Sequence, residues 1–218
     1  MENDTTDNKI KISKEIIATL PIETFPGKIV VIDTPSRAAH AVEQLSHEKI
    51  IGFDTEIRPT FKKGHSNQVA LMQLSTHDIC YLFRINRIGF TPLLKQLLEN
   101  EAILKVGISL KDDFCMLGRL NNGQFTPRNF VELQKVVKKY GIEDQSLQKI
   151  YAIVLGKKIS KGQRLSNWEA DHLTDSQQLY AATDAWSCIK IYEALQSGEF
   201  QLSSLNPALL QRPSSQPQ

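Results

Sequence analysis

The feature that most constrains the chain is an apolar run that ends in two acidic residues, Ile50-Ile51-Gly52-Phe53-Asp54-Thr55-Glu56. So short a run of β-branched and aromatic residues predicts a buried strand. Because side chains alternate across a strand, Asp54 and Glu56 are expected on one face and Thr55 on the other. Two neighbouring carboxylates repel each other unless a cation, a basic partner or solvent offsets their charge. A solvated strand end fits the same pattern, so the other motifs must discriminate.

Short apolar runs alternate with helical patterns along the rest of the chain. Strands are predicted at residues 28–33, 50–56, 68–75, 79–83 and 102–107, and helices at residues 13–20, 36–47, 91–99, 110–120, 133–140, 146–155 and 174–195. A meander followed by alternating strands and helices predicts a single α/β domain with a mixed sheet. This domain is expected over residues 28–196, after a partly disordered extension at 1–27, polar to about residue 12, and before a flexible tail at 197–218.

Composition narrows the class of protein. A chain of 218 residues with 41% hydrophobic residues can bury one full core. The net charge of +2 is too small to indicate a nucleic-acid partner, although it is compatible with a local basic groove. No Gly-rich phosphate loop is present, so an enzyme that uses a nucleotide cofactor on a doubly wound sheet ranks last among the alternatives.

The cysteines and the N-terminus indicate the compartment. Cys80, Cys115 and Cys188 are widely spaced among apolar neighbours, which predicts reduced, buried thiols rather than disulfides. No CxxC pair or histidine cluster is present, which argues against a structural zinc site. The N-terminus is acidic and no apolar run reaches membrane-spanning length, so a cytoplasmic protein is expected.

Two later segments also carry acidic residues in a defined context. Tyr180 and Asp184 stand four residues apart on the last predicted helix and share one face among small and apolar neighbours, which suggests that this face packs inward. The doublet Asp112-Asp113 begins a predicted helix directly after a strand. Each pattern has a structural alternative: a buried Tyr–Asp hydrogen bond in the first, and acids that favour the helix dipole in the second.

Taken in order, these segments resemble the motifs of the DEDD superfamily of 3′–5′ exonucleases in its tyrosine variant, the group that contains ribonuclease D and the Werner-type exonuclease domain. The resemblance covers about residues 28–194 and includes Asp54-Thr55-Glu56, Asp113 with Leu117 four residues later, Tyr180-Ala-Ala-Thr-Asp184, and the upstream segments Leu165–Trp168 and Leu173–Gln177. The doublet offers two candidates for the second acid, and the spacing to Leu117 favours Asp113 over Asp112.

The resemblance implies a fold and an activity. The fold is a ribonuclease H-like mixed β-sheet flanked by helices in a single domain. The activity is metal-dependent 3′–5′ hydrolysis of the terminal phosphodiester bond of a nucleic acid, which releases 5′-mononucleotides. Two divalent cations, Mg²⁺ or Mn²⁺, suit such a reaction and prefer carboxylate oxygens.

The resemblance also assigns roles to residues. Asp54, Glu56, Asp113 and Asp184 would hold the two ions. Tyr180 would orient the attacking water, since a phenol with an ordinary pKa of about 10 need not act as the base when a metal acidifies that water. Glu56 would also contact the terminal 3′ hydroxyl, which makes Tyr180 and Glu56 the predicted catalytic residues.

Basic residues follow the first motif and precede the third, so two loops could flank the site with charge for phosphates. The two groups are Arg58, Lys62 and Lys63, and Lys157, Lys158, Lys161 and Arg164. A solvated basic loop is the alternative for each residue. Trp168 could stack on a base or anchor the core. The predicted nucleic-acid contacts are Thr55, Lys62, Lys63, Lys161, Arg164 and Trp168.

The expected partner is the 3′ end of a nucleic acid, with no membrane and no obligate protein partner. No motif reads a 2′ hydroxyl, so DNA and RNA stay open as substrates. The chain ends soon after the third motif, without room for a further nucleic-acid-binding domain, which favours DNA ends and the Werner-type branch slightly. The alternatives are a 3′-end-processing exoribonuclease and a catalytically silent nucleic-acid-binding module of the same fold.

Overall fold

A six-stranded mixed sheet forms the centre of the fold in the computed structural model, which describes residues 10–58, 68–198 and 200. The strands are β1 Lys28–Ile32, β2 Ile50–Ile57, β3 Val69–Ser75, β4 Ile79–Phe83, β5 Leu104–Gly107 and β6 Phe130–Glu132. Their order is β1-β4-β3-β2-β5-β6. The central strand β3 runs antiparallel to β2 and β4, and the other neighbours pair in parallel. The predicted mixed sheet is therefore confirmed.

Helices cover both faces of this sheet. Within the described residues they are α1 Lys14–Thr19, α2 Pro35–Leu45, α3 Ile85–Ile88, α4 Pro92–Glu99, α5 Leu110–Leu120, α6 Leu133–Lys138, α7 Leu147–Leu155 and α8 Asp175–Gln196. Side-chain alternation along the strands divides the core in two: Leu71 packs with residues of α7 and α8, and the next residue, Met72, packs with residues of α2, α4 and α5. The sheet is thus buried on both sides, as expected for an α/β domain.

The long helix α8 packs directly on strand β2. Its start is fixed by a capping box, in which the Thr174 side chain accepts from the Gln177 backbone N–H and the Gln177 side chain accepts from the Thr174 backbone N–H. Its middle approaches β2 at Gly52, where a Cβ atom would lie 1.9 Å from the carbonyl oxygen of Ala185. Glycine is needed here because any side chain would collide with the helix backbone. The close approach brings the acidic end of β2 beside α8.

The N-terminal segment 10–27, called the N-terminal strap below, packs against the domain. Ile10 and Ile12 are 0% and 1% exposed. The Ile10 N–H donates to the Gly141 carbonyl at 2.8 Å, and the Ile12 N–H donates to the Asp144 carboxylate at 2.9 Å. The predicted disorder up to about residue 12 is therefore wrong at Ile10 and Ile12, because burial of two isoleucines outweighs their polar surroundings. Residues 1–9 lie outside the described part of the chain, as does most of the predicted tail.

Two short elements were not predicted. Helix α3 is a single turn and strand β6 has three residues, so neither is long enough to give a periodic pattern. Strand β6 nevertheless matters, because its parallel pairing with β5 sets Glu132 opposite Gly107.

The described cysteines differ in exposure. Cys80 and Cys188 are buried free thiols, as predicted, but Cys115 is exposed on α5. The prediction for Cys115 is wrong because its apolar neighbours face the core from adjacent positions of the helix while Cys115 itself faces outward. Among the helices of the described residues, none combines the length and apolar character that a membrane crossing requires.

Candidate active site

Three carboxylates meet where β2 passes α8. One oxygen from each of Asp54, Glu56 and Asp184 lies within 4.8 Å of the other two. The two acids of β2 share the face that Gly52 presents to α8, as the i, i+2 spacing predicts. Glu56 and Asp184 are each only 8% exposed. The close packing of strand and helix thus gathers three acids in one place.

Burial makes the ionised forms of these acids unfavourable. Burial is the main cause that raises the pKa of Asp54 well above its usual range, with repulsion from Glu56 and Asp184 adding to it. Burial likewise raises the pKa of Glu56 to about 9 and that of Asp184 to about 7. A divalent cation would remove the cost of bringing these charges together.

Tyr180 lies one turn before Asp184, and both side chains line the same cleft. Burial, followed by the nearby charges of Asp184 and Glu56, raises the pKa of the Tyr180 phenol above its ordinary value. The phenol is therefore a neutral hydrogen-bond donor and acceptor at neutral pH rather than a base. Its position on the wall of the same cleft suits the orientation of a small polar molecule such as water.

A fourth carboxylate approaches from the opposite face of β2. Thr55 points away from the three acids, as predicted, and its hydroxyl donates a hydrogen bond to Asp113 on α5. Burial raises the pKa of Asp113 to about 6. The adjacent Asp112 is exposed. Both members of the doublet line the cleft, but Asp113 is the one that is partly buried and hydrogen bonded to Thr55 on β2. Among the described residues Asp113 stands outside the group within 4.8 Å.

Glu132 holds the turn that positions Asp113. Its carboxylate accepts from the backbone N–H groups of Ser109 at 3.0 Å and Leu110 at 2.8 Å, and from Gln134 at 3.1 Å. Ser109 has a left-handed backbone with φ of 59° and provides no side-chain cap for α5. Since the first N–H groups of a helix need acceptors, Glu132 supplies from β6 what the helix lacks. Sequence analysis missed this role.

The acids open into a cleft of about 340 Å³ that has basic residues at its rim. Lys161 and Arg164 line this cleft, where they were predicted, and both are exposed. Their charges act on the site, because Arg164 favours the ionised form of Glu56 and Lys161 that of Asp184. The cleft therefore combines an acidic floor with a positively charged rim.

The other four predicted nucleic-acid contacts do not line the cleft as free phosphate-binding or base-stacking groups among the described residues. Trp168 is 0% exposed, with its ring centroid 6.0 Å from that of Tyr180, so its prediction as a base-stacking residue is wrong and it anchors the core. The hydroxyl of Thr55 is already used by Asp113. Lys62 and Lys63 fall in the range 59–67, outside the described residues.

The first two lysines of the second basic group bind the N-terminal strap instead of lining the cleft. Lys157 forms an ion pair with Glu23 at 2.7 Å, and Lys158 donates to the Ala18 carbonyl at 2.5 Å. The four basic residues of this loop thus divide into two that stabilise the fold and two that border the site.

The donor set suits a hard divalent cation. Its members are buried or partly buried carboxylates from β2, α5 and α8, and no thiol or imidazole lines the cleft among the described residues. Oxygen ligands of this kind are those that Mg²⁺ and Mn²⁺ prefer.

Comparison with known proteins gives the chain's relatives. The family model for the 3'-5' exonuclease domain matches residues 29–198. The bifunctional 3'-5' exonuclease/ATP-dependent helicase WRN of Mus musculus is 37% identical over 201 residues, covering 87% of this chain and 14% of the relative. Exonuclease 3'-5' domain-containing protein 2 of Drosophila melanogaster is 33% identical over 151 residues, covering 67% of this chain and 25% of the relative. The chain thus spans a quarter or less of the length of these two relatives.

Solved structures share the fold. The EXO domain of Nibbler from Aedes aegypti superposes with a TM-score of 0.73 at 23% identity and covers 80% of this chain and 91% of that one. RNase D from Escherichia coli superposes with a TM-score of 0.68 at 22% identity and covers 84% and 48% of the respective chains. The mixed sheet flanked by helices is therefore the ribonuclease H-like fold that was expected.

Proposed function

The chain belongs to the 3′–5′ exonuclease family, and we propose that it uses two divalent cations, Mg²⁺ or Mn²⁺, to hydrolyse the terminal phosphodiester bond of a nucleic-acid 3′ end and release 5′-mononucleotides. The observation that carries this proposal is the grouping of Asp54, Glu56 and Asp184 within 4.8 Å in a cleft that Asp113 also lines. Buried acids with raised pKa values are costly without cations, so the grouping calls for them.

The proposed ligands are Asp54, Glu56 and Asp184 for one ion and Asp113, across β2, for the second. When bound, such ions acidify a coordinated water and stabilise negative charge on the attacking and leaving oxygens. The carboxylates contribute by fixing where the ions lie, because β2, α5 and α8 hold them before substrate arrives.

Tyr180 and Glu56 have the catalytic roles beyond metal binding. Tyr180, neutral and one helical turn from Asp184, orients the attacking water by accepting or donating a hydrogen bond. Glu56, at the end of β2, contacts the terminal 3′ hydroxyl. The water would then attack the phosphorus of the terminal nucleotide, and the bond to the 3′ oxygen of the upstream nucleotide would break, which releases a 5′-mononucleotide and leaves a new 3′ hydroxyl.

Lys161 and Arg164 contact substrate phosphates at the rim of the cleft. Their exposure and their position beside the acids support this role, and Lys62 and Lys63 are proposed to add charge from the segment after β2. Arg cannot lose its charge near neutral pH, which suits Arg164 to a permanent phosphate contact.

The polymer is proposed to be DNA in preference to RNA. This rests on the likeness to the WRN exonuclease at 37% identity, which favours the Werner-type branch. An exoribonuclease is the second candidate, because RNase D of Escherichia coli, an exoribonuclease involved in structured RNA processing, and RNase D of Trypanosoma brucei in complex with RNA share the fold.

The purified chain, given Mg²⁺ or Mn²⁺ and matched single-stranded and recessed DNA and RNA oligonucleotides, tests these proposals. We expect mononucleotides to appear from the 3′ end, with DNA degraded faster. The double variant Asp54→Ala with Asp184→Ala should lose activity, and the matched double variant Asp78→Ala with Asp171→Ala, at exposed acids outside the cleft, should keep it. Absence of hydrolysis in wild type, or full activity in the first variant, would contradict the proposal. A faster reaction on RNA would reverse the substrate preference.

A cytoplasmic location without an obligate protein partner completes the proposal. A reducing compartment would keep Cys80, Cys115 and Cys188 as the free thiols that the structure contains. Hydrolysis by the purified chain alone, at a rate unchanged by added cell extract, is the expected result.

A further inference from the structure

A second groove continues from the catalytic cleft along α5, β6 and α6. It has a volume of about 700 Å³ and shares Ser109 and Asp112 with the cleft, so the two form one continuous path across the surface. Neither Tyr180 nor the loop 159–168 lines this groove, although Tyr180 and part of that loop line the cleft. A polymer whose end lies at the acids would therefore find it next along the surface.

Three lysines give this groove its charge. Lys111 comes from α5, and Lys135 and Lys138, three residues apart, come from the same face of α6. All three are exposed, and the ion pairs of the described part of the chain include none of them. The cations are thus available to a ligand from outside the chain.

The acids that face the groove do not cancel this charge. Both oxygens of Glu132 accept from backbone N–H groups, at Ser109, Leu110 and Gln134. The other acid, Asp112, lies at the junction with the catalytic cleft. The three lysines outnumber these two acids, and the groove is therefore positive on balance, which matches a polyanion.

The floor of the groove is apolar and fixed. Phe114 and Phe130 line it with their ring centroids 4.7 Å apart and their planes at 73°, and both are partly buried in the core. The Lys105 amine lies 5.2 Å from the Phe130 centroid and holds that ring from below. A rigid apolar floor between charged walls suits a strand that carries phosphates on one edge and flat bases on the other.

We propose that this groove binds the substrate strand upstream of its 3′ end, with Lys111, Lys135 and Lys138 on its phosphates. The inference rests on the proposed exonuclease function and adds a binding surface to it. A dinucleotide fills only the catalytic cleft and does not reach α6, whereas a longer strand occupies both surfaces. The lysines therefore set the affinity for long substrates and leave the chemistry of the terminal bond unchanged.

The test compares two double variants with equal loss of charge. Lys135→Ala with Lys138→Ala removes two groove lysines, and Lys28→Ala with Lys49→Ala removes two exposed lysines at the starts of β1 and β2, at the opposite end of those strands from the acids. Both pairs are assayed on a dinucleotide and on a 12-nucleotide single strand. We expect the groove pair to raise KM for the 12-mer about tenfold with kcat unchanged, and to leave dinucleotide hydrolysis as in wild type.

A binding measurement keeps this test independent of catalysis. In an Asp54→Ala background, the salt dependence of 12-mer binding should become shallower by about 0.7 in the log–log slope for each groove lysine removed, and stay unchanged in the control pair. The proposal would be contradicted if both double variants changed 12-mer binding equally. It would also be contradicted if the groove pair lost as much activity on the dinucleotide as on the 12-mer. Tighter lysine-dependent binding of polyglutamate than of the 12-mer would contradict it as well and would indicate an acidic protein partner. If neither wild type nor any variant hydrolyses the oligonucleotides while 12-mer binding still depends on these lysines, the proposed exonuclease activity is contradicted and the proposed binding surface is supported.

Discussion

The two halves of the acidic site are built in different ways. Asp54, Glu56 and Asp184 are gathered by packing, because α8 lies directly on β2 at Gly52. Asp113 is positioned by hydrogen bonds, one from Thr55 to its carboxylate and others from the turn before α5 to Glu132. The packed half is fixed as soon as the core forms, whereas the hydrogen-bonded half depends on a few polar contacts near the surface.

This difference predicts how each half responds to change. A packed interior transmits any added atom to its neighbours, so the triad and the fold should fail together. Hydrogen bonds contribute about 1 kcal/mol each, so loss of the contacts around Ser109 should move Asp113 without unfolding the chain. Substitutions can therefore separate the two halves experimentally.

The largest expected effect comes from Gly52→Ala in the packed half. The added Cβ would lie 1.9 Å from the Ala185 carbonyl oxygen, so α8 must move off β2. We expect a loss of stability on the order of 3 kcal/mol together with loss of metal affinity, because Asp184 moves with the helix. Denaturant unfolding and calorimetric titration with Mn²⁺ measure the two quantities.

Gly118→Ala is the matched control. Gly118 lies in α5 with open space around its Cβ position, so alanine should stabilise the helix by about 0.5–1 kcal/mol and leave metal affinity unchanged. Equal behaviour of the two alanine variants would show that β2 and α8 are not in the contact described.

Glu132→Ala should have the next largest effect, on the hydrogen-bonded half. Without this carboxylate the N–H groups of Ser109 and Leu110 lose their acceptor, and Asp113, one turn later, loses its fixed position. We expect activity and affinity for the second metal to fall about 10- to 100-fold, as for other residues that support metal ligands. Glu132→Gln, which retains one acceptor oxygen, should recover part of both. If the variant loses stability but keeps its metal affinity, Glu132 caps the helix α5 and does not position Asp113.

The stability of the metal-free protein should fall as pH rises from about 5 to 8. The pKa values in the folded state are about 6 for Asp113 and about 7 for Asp184, above the ordinary aspartate pKa of 3.8. Between these values the folded state binds more protons than the unfolded state, so the free energy of unfolding decreases with rising pH. Below about pH 4 both states are protonated and the penalty disappears. Mg²⁺ should reverse the trend, because it replaces the protons.

Thermal unfolding in a chelator, with Asp184→Asn as the comparison, checks this prediction. The wild-type Tm should fall by at least about 2–4 °C more than that of the variant across this range, which corresponds to about 1 kcal/mol. Parallel curves would mean that burial does not penalise these carboxylates.

The packed half of the site could be predicted from sequence, and the hydrogen-bonded half only in part. The strand that carries Asp54 and Glu56 and the capped helix that carries Tyr180 and Asp184 leave regular patterns, and the structure confirms both elements. Glu132 leaves no such pattern. It reaches the turn at Ser109 only through a three-residue strand whose pairing joins distant parts of the chain.

Sequence analysis also could not assign a role to residues that suit either the fold or substrate binding. The loop 157–164 has four basic residues that sequence alone does not distinguish. In the structure Glu23 and the Ala18 carbonyl of the N-terminal strap bind the first two, so only the last two line the cleft. An aromatic residue beside a site suits either a base or the core, and burial assigns Trp168 to the core. Such choices depend on contacts between segments far apart in the chain.

The stoichiometry of Mn²⁺ binding tests the two-part site most directly. Calorimetric titration should give two ions for wild type and for Asp112→Asn, which changes the exposed member of the doublet, but one ion for Asp113→Asn, because the packed triad of Asp54, Glu56 and Asp184 remains. Two ions bound by Asp113→Asn, or none by wild type, would contradict the assignment of the two halves to two cations.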